Sequence, residues 1–271
     1  MDNRPVGVFD SGLGGLTAAR KIRSILPSED IIYFGDTSRV PYGGRSREIL
    51  LKYARQDVRF LRSFDIKAIV VACGTVSTTC LPQLQAENEL PVLGVVEPAC
   101  RRAVAVSKTR HVGLIATAAS VRSGTYEQII HALDPDVTVT ARACPLFVPL
   151  VENGRYERGD VVIETVAREY LEPIRGSGID TLILGCTHYP LLMDLIGEIM
   201  GPEVTLIDTG EEAAWELKRT LKAKNLLSDC AQEGTTTLYA SDQPEDFGSM
   251  AKHFLQEELT SPVLQVNIDR Y

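Results

Sequence analysis

The sequence predicts an α/β protein made of two pseudo-symmetric lobes, each with a mostly parallel sheet. Three observations carry that prediction. Short Val/Ile/Leu runs alternate with longer amphipathic stretches along the chain, the pattern of strand–helix units. Two of these runs recur: Val6-Gly7-Val8-Phe9-Asp10-Ser11 resembles Val112-Gly113-Leu114-Ile115-Ala116-Thr117, and Ile66 to Cys73 resembles Ile179 to Cys186. In the second pair a cysteine ends the strand in each half, at Cys73 and at Cys186.

In chain order, strands are expected at 5–9, 31–34, 67–72, 92–95, 111–116, 137–141, 181–184, 204–207, 236–239 and 263–266. A helix is expected over 47–62, where Ile49, Leu50, Tyr53, Phe60 and Leu61 form an apolar stripe and Arg and Asp fill the rest. The repeat divides the chain into a first lobe, residues 1–97 completed by 209–271, and a second lobe, residues 98–208. Open α/β sheets bind ligands at the carboxyl ends of their strands. The expected active site is therefore the cleft between the lobes, with one cysteine from each.

Composition narrows the function. A chain of 271 residues with 44% hydrophobic content buries a substantial core, and at 6% aromatic content that core rests mainly on Val, Ile, Leu and Ala. A net charge of −8 argues against a nucleic-acid partner, because neutralising phosphates takes clustered Lys and Arg. No apolar stretch approaches the roughly 20 residues that span a bilayer, and no basic segment followed by an apolar run stands near Met1. The expectation is a cytoplasmic protein with no membrane partner. Six cysteines without a CxxC spacing suit neither a disulfide framework nor a zinc site, so no metal is expected. Cys80, Cys100, Cys144 and Cys230 are expected as small buried hydrophobes. Cys73 and Cys186 need another account.

Four loops carry the candidate chemistry. The first, Asp10-Ser11-Gly12-Leu13-Gly14-Gly15-Leu16-Thr17, follows a strand and opens a helix, and Asp36 lies near the end of the second strand. A dinucleotide fingerprint fails here because its third glycine is Thr17 and Asp10 would face a pyrophosphate. What remains is a carboxylate and a hydroxyl above a helix N-terminus, suited to general-acid work or to holding an ammonium group. The second loop, Val40-Pro41-Tyr42-Gly43-Gly44-Arg45-Ser46, forms a turn and can bring backbone N–H groups close to a carboxylate.

The third and fourth loops, Cys73-Gly74-Thr75 and Cys186-Thr187-His188, each place a cysteine at a strand end, then a hydroxyl residue, then a helix. A helix N-terminus favours the thiolate. With roughly 3% of an ordinary thiol ionised at pH 7, a modest shift matters. His188 stands two residues after Cys186, where it can set the state of the thiol or protonate near the substrate. Glu152, in Pro149-Leu150-Val151-Glu152-Asn153-Gly154, is expected to line the cleft from the middle lobe. No lysine sits in any of the four loops, so a pyridoxal phosphate Schiff base has no anchor and no cofactor is expected.

Taken together, VGVFDSGLGGLT, IIYFGDTSRVPYG, VVACGT, GVVEPA, CPLFVPLVENG and LILGCTHYPLL resemble the glutamate racemases, and the similarity runs from Val6 to Tyr239. The resemblance implies interconversion of L- and D-glutamate without pyridoxal phosphate, supplying D-glutamate for bacterial peptidoglycan. It implies Cys73 and Cys186 as paired acid/bases, Cys73 acting on the D-isomer and Cys186 on the L-isomer. Asp10, Ser11, Tyr42, Gly43, Gly74, Thr75, Thr187 and His188 are implied at the substrate site, with Asp10, His188 and Glu152 also supporting catalysis.

One departure stands out. The family usually has Asn after its first catalytic cysteine, and here that position is Gly74. The change bears on affinity and substrate identity more than on reaction type. Aspartate racemases typically have glutamate where His188 stands, which favours glutamate as the substrate. An aspartate or broad-specificity racemase and a catalytically weak glutamate-binding protein stay open as alternatives. A redox role for the thiols is disfavoured, because no resolving cysteine lies nearby in sequence. The sequence leaves open whether the chain forms a homodimer.

Overall fold

A computed structural model of the chain describes residues 2–271. Its strands are β1 (Val6–Asp10), β2 (Ile31–Gly35), β3 (Ala68–Val71), β4 (Val92–Gly94), β5 (His111–Ala116), β6 (Thr138–Ala143), β7 (Thr181–Gly185), β8 (Thr205–Asp208), β9 (Thr236–Ala240) and β10 (Leu264–Gln265). Every strand expected from the apolar runs is present, with ends that move by at most one or two residues. They form two sheets, β10-β9-β2-β1-β3-β4 and β6-β5-β7-β8, and every pairing is parallel.

The order β2-β1-β3-β4 in the first sheet is the order β6-β5-β7-β8 in the second. The repeat seen in sequence is therefore a repeat of topology: β1 and β5 are matched central strands, and β3 and β7 are matched neighbours. The chain packs as two units, one reaching Val95 and resuming at Gly210–Tyr271, the other Val96–Thr209.

Parallel strands are covered on both faces, which is why they read as unbroken apolar runs. In the first unit β1, β2 and β3 are buried at every residue. Its few aromatics are concentrated: the Phe60 ring lies 5.0 Å from Phe34, 5.3 Å from Phe64 and 5.2 Å from Tyr239. In the second unit Leu114, Ile115, Leu182, Ile183 and Leu184 form the sheet's interior. Phe147 packs there edge-on against Tyr170 and Tyr189.

Three helices of the first unit flank its candidate site residues: α1 (Leu16–Ile25), α2 (Arg47–Leu61) and α3 (Gly74–Thr79). The Ser46 side chain caps α2 by accepting from the Ile49 N–H, and Glu48 in the first turn and Arg59 in the last complement the helix dipole. Leu50, Ala54, Asp57, Val58 and Leu61 of α2 are buried at spacings of three, four and seven residues, and Gln56 and the expected Phe60 are buried beside them. Ile49 is not on it: its side chain is 38% exposed. A second correction concerns Cys230, which is exposed, while Cys80, Cys100 and Cys144 are buried as expected.

Two glycines let the backbone close over the strand ends. A Cβ on Gly15 would lie 2.5 Å from Asp10 Cβ and 3.0 Å from Ala72 Cβ. One on Gly35 would lie 2.7 Å from the Gly12 carbonyl oxygen. Only glycine permits both approaches.

Candidate active site

In the first unit the candidate residues gather at the carboxyl end of the sheet. Asp10 is the last residue of β1, 1% exposed, and its Oδ2 accepts from the Gly12 N–H at 3.0 Å. Ser11 follows it and places its Oγ 3.7 Å from Cys73 Sγ. Cys73 leaves β3 and caps α3, its carbonyl accepting the Ser77 N–H at 2.9 Å. Gly74 and Thr75 open α3 and are both buried. Thr75 in turn holds two side chains of its own helix, its carbonyl accepting from the Thr78 and Thr79 hydroxyls at 3.0 and 2.7 Å.

The electrostatics of Cys73 correct the sequence reading. Burial pushes its thiol up to about 12, and the neighbouring Asp10 carboxylate adds to the rise. Hydrogen bonds from the Val76 N–H and from Ser11 act in the other direction and do not offset it. Desolvation outweighs the helix terminus because α3 has only six residues and the sulfur has little access to water. In the isolated chain Cys73 is a thiol at neutral pH.

Tyr42 and Gly43 lie in a short 3-10 turn, Tyr42–Gly44. Gly43 is half-buried at the surface of the unit, whereas the Tyr42 ring is buried. The Tyr42 Oη donates to Asp36 Oδ2 at 2.6 Å and lies 3.3 Å from Asp57 Oδ2. Asp36, fully buried, also accepts from the Ser241 hydroxyl at 2.9 Å and lies 3.4 Å from Arg39 Nη1. The acceptor at the end of β2 is thus occupied by the protein's own groups, which agrees with the rejection of a ribose site.

In the second unit β7 delivers Cys186, and Thr187 and His188 follow it into the interior, 4% and 5% exposed. The next element is a 3-10 turn, Tyr189–Leu192, with the α-helix Met193–Met200 only after it. The expected helix N-terminus therefore does not sit beside this thiol. What does is His188, whose Nδ1 lies 3.8 Å from Cys186 Sγ. Its Nε2 lies 2.9 Å from Oε1 of Glu152, the last residue of the helix Phe147–Glu152. Burial opposes a charge on His188, but Cys186 and Glu152 together overcome it and raise the imidazole to about 10.

The structure thus brings together Asp10, Ser11 and Cys73 in one unit, and Glu152, Cys186, Thr187 and His188 in the other. Asp57, behind Tyr42, is a residue that sequence reasoning misses, and Asp36 is weighed there only as a ribose acceptor and not as the partner of Tyr42. Asp57 has a signal: it falls on the buried stripe seven residues after Leu50 and four before Leu61. A carboxylate in that register needs a reason to be inside. Among the described residues, no group of three or more His, Cys, Asp or Glu side chains is arranged to hold a metal ion. Nor is any helix among them long and apolar enough to cross a membrane.

Comparison with known proteins gives the family of the chain. Residues 20–217 match the family model for Asp/Glu/hydantoin racemases. A glutamate racemase of Geobacter metallireducens is 45% identical over 269 residues, covering 99% of this chain and 98% of its own length. Among solved structures, glutamate racemase isoform RacE1 of Bacillus anthracis superposes with a TM-score of 0.93 at 37% identity, covering 98% of both chains. The Francisella tularensis glutamate racemase, solved in complex with D-glutamate, gives 0.91 at 39% identity over the whole of both chains. With its two parallel sheets and full-length similarity to these enzymes, the chain belongs to the Asp/Glu/hydantoin racemase family and, within it, to the glutamate racemases.

Proposed function

We propose that the chain interconverts L- and D-glutamate by taking the Cα proton with one cysteine thiolate and supplying another proton from the second cysteine thiol, Cys73 acting on one face and Cys186 on the other. The observation that supports this most is the equivalence of β3 and β7: each leads into a cysteine, and each occupies the same place in its sheet. Enantiomers have equal free energy in water, so neither direction is privileged and a proton must leave one face of Cα and arrive on the other. Two acid/bases, one per face, meet that demand directly.

The supporting groups differ between the thiols. On one side Asp10 receives the substrate's α-ammonium, which offsets the negative charge that helps hold Cys73 protonated. On the other, His188 exchanges a proton with Cys186 and is kept basic by Glu152. For L-glutamate, Cys186 takes the Cα proton and the Cys73 thiol supplies one to the opposite face. For D-glutamate the steps run backwards from the form this leaves: the Cys73 thiolate takes the Cα proton and the Cys186 thiol, protonated in the forward turn, supplies one to the opposite face. The turn at Tyr42 and Gly43 and the residues Ser11, Gly74, Thr75 and Thr187 receive the carboxylates and stabilise charge developing at the α-carboxylate. No cofactor or metal enters these steps. The product D-glutamate serves peptidoglycan synthesis, and the enzyme works in the cytoplasm.

The test is incubation of each enantiomer in deuterated water, with optical rotation and α-deuterium uptake as readouts. Both enantiomers should racemise with one deuterium incorporated per inversion, and Cys73→Ser and Cys186→Ser should each slow inversion by about 10²- to 10⁴-fold. Racemisation at the parent rate by either variant would remove the two-thiol mechanism.

A further inference from the structure

We propose that Asp57 is a positioning residue for substrate binding: it donates a hydrogen bond to the Tyr42 phenol, which donates onward to Asp36, and this chain fixes the Tyr42–Gly44 turn. The inference rests on the reading above that this turn receives a substrate carboxylate.

The geometry requires an extra proton. Two fully buried carboxyl groups, Asp36 and Asp57, converge on one phenol oxygen, at 2.6 and 3.3 Å. Tyr42 has one O–H proton, and the shorter contact assigns it to Asp36. Asp36 is supplied with other partners as well: the Ser241 and Ser38 hydroxyls and the Arg39 guanidinium. Asp57 is not. Among the described residues its Oδ1 has no hydrogen-bond partner, and its Oδ2 meets only the Tyr42 oxygen. An ionised carboxylate facing a phenol oxygen whose proton points elsewhere is repelled. A carboxylic acid there donates its proton to that oxygen and completes the chain Asp57 → Tyr42 → Asp36.

The charged and titratable groups around Asp57 agree. Burial and Asp36 push its carboxyl well above the ordinary range, and Asp10 at the end of β1 adds to the rise. Arg39, from the turn Thr37–Arg39, and Tyr42 act against it without reversing it. Arg39 is itself engaged elsewhere, stacked 4.5 Å over the Tyr53 ring and paired with Asp269 near the C-terminal end. Asp57 is carried by α2, a fifteen-residue helix packed under the sheet, so the phenol is held from a rigid element and the turn attached to it is held in one place.

Three variants and one spectroscopic measurement test this. Asp57→Leu, which removes the donor and keeps the volume, should raise KM for both glutamate enantiomers about 5- to 20-fold with kcat little changed. Asp57→Asn, whose amide still donates, should hold KM within about twofold of the parent at neutral pH. As pH rises, parent KM should climb relative to Asp57→Asn, because only the parent loses its donor by ionisation. In infrared difference spectra, parent minus Asp57→Asn should show the carbonyl stretch of a protonated carboxylic acid. No such band, or equal damage from Asp57→Asn and Asp57→Leu, would overturn the proposal. If Asp57→Leu does not fold, the infrared band and the pH dependence of the parent KM relative to Asp57→Asn still decide it. Tyr42→Phe separates the two readings. If it raises KM while Asp57→Leu does not, only the role of Asp57 falls. If neither changes KM, the turn is not part of the substrate site and both fall.

Discussion

The two nitrogens of His188 face opposite partners: Nε2 lies 2.9 Å from Glu152 Oε1, and Nδ1 lies 3.8 Å from Cys186 Sγ. The ring is therefore held in one orientation by a carboxylate while its other edge addresses the thiol. Because Glu152 helps to raise His188 to about 10, Glu152→Gln should lower that value and move the alkaline limb of the kcat/KM profile to lower pH. NMR titration of the His188 ring in both forms checks the shift. The same coupling has a stability signature. A histidine raised in the folded state contributes fully below its unfolded value near 6.5 and loses that contribution as pH rises through about 10. The stability difference between parent and His188→Asn should shrink across that window.

Cys73→Ser and Cys186→Ser should each lower kcat by about 10²- to 10⁴-fold, the usual range for removing a positioned acid/base. Circular dichroism of the folded variants should match the parent.

Alkylation should discriminate among the six cysteines. Cys230 is exposed and reacts first with iodoacetamide; Cys73, buried and pushed up to about 12, should be spared at neutral pH. Asp10→Asn removes a charge that raises the Cys73 thiol, so it should speed alkylation of Cys73, read by peptide mass mapping. The gain should be partial, since burial is the larger cause.

Gly74 begins α3 next to Cys73, at the position where the family resemblance implies an asparagine and its side-chain amide. Gly74→Asn should lower KM for glutamate by a factor of about 2 to 13, corresponding to one neutral hydrogen bond of roughly 0.5–1.5 kcal/mol. The value of kcat should change little.

At the opposite end of the first sheet, Lys67 and Glu29 form an ion pair with side chains 0% and 2% exposed. Lys67 also donates to the Asp2 carbonyl, and Glu29 accepts from the Ser228 N–H at 2.8 Å. Lys67→Met strands a buried carboxylate and should cost about 3–5 kcal/mol of unfolding free energy. Adding Glu29→Gln, which removes that charge, should recover a large part of it in denaturant titrations.

The strands are legible in the sequence because buried parallel strands leave unbroken apolar runs, and the two thiols because each closes such a run. The state of Cys73 is not legible there. It is decided by how deeply the sulfur is covered and by Asp10, sixty-three positions earlier in the chain. The segment after Cys186 reads as a helix by its likeness to the segment after Cys73, yet it begins as a 3-10 turn and the α-helix follows only at Met193. Ile49 and Cys230 are apolar side chains left outside, which no local pattern forbids. Asp57 is the opposite case, a charge hidden within the apolar register of α2.

In the first sheet, β9 pairs with β2 along its whole length, from Ile31 with Thr236 to Gly35 with Ala240. These partners are separated by more of the chain than the entire second unit. On the ribosome, Ile31–Gly35 therefore emerges long before the strand that covers its edge, whereas β5 to β8 are complete as soon as β8 has been translated. The unit that begins first is the last to close. Until it does, β2 presents an apolar open edge, the form of nascent chain that pairs with its neighbours or calls on a chaperone.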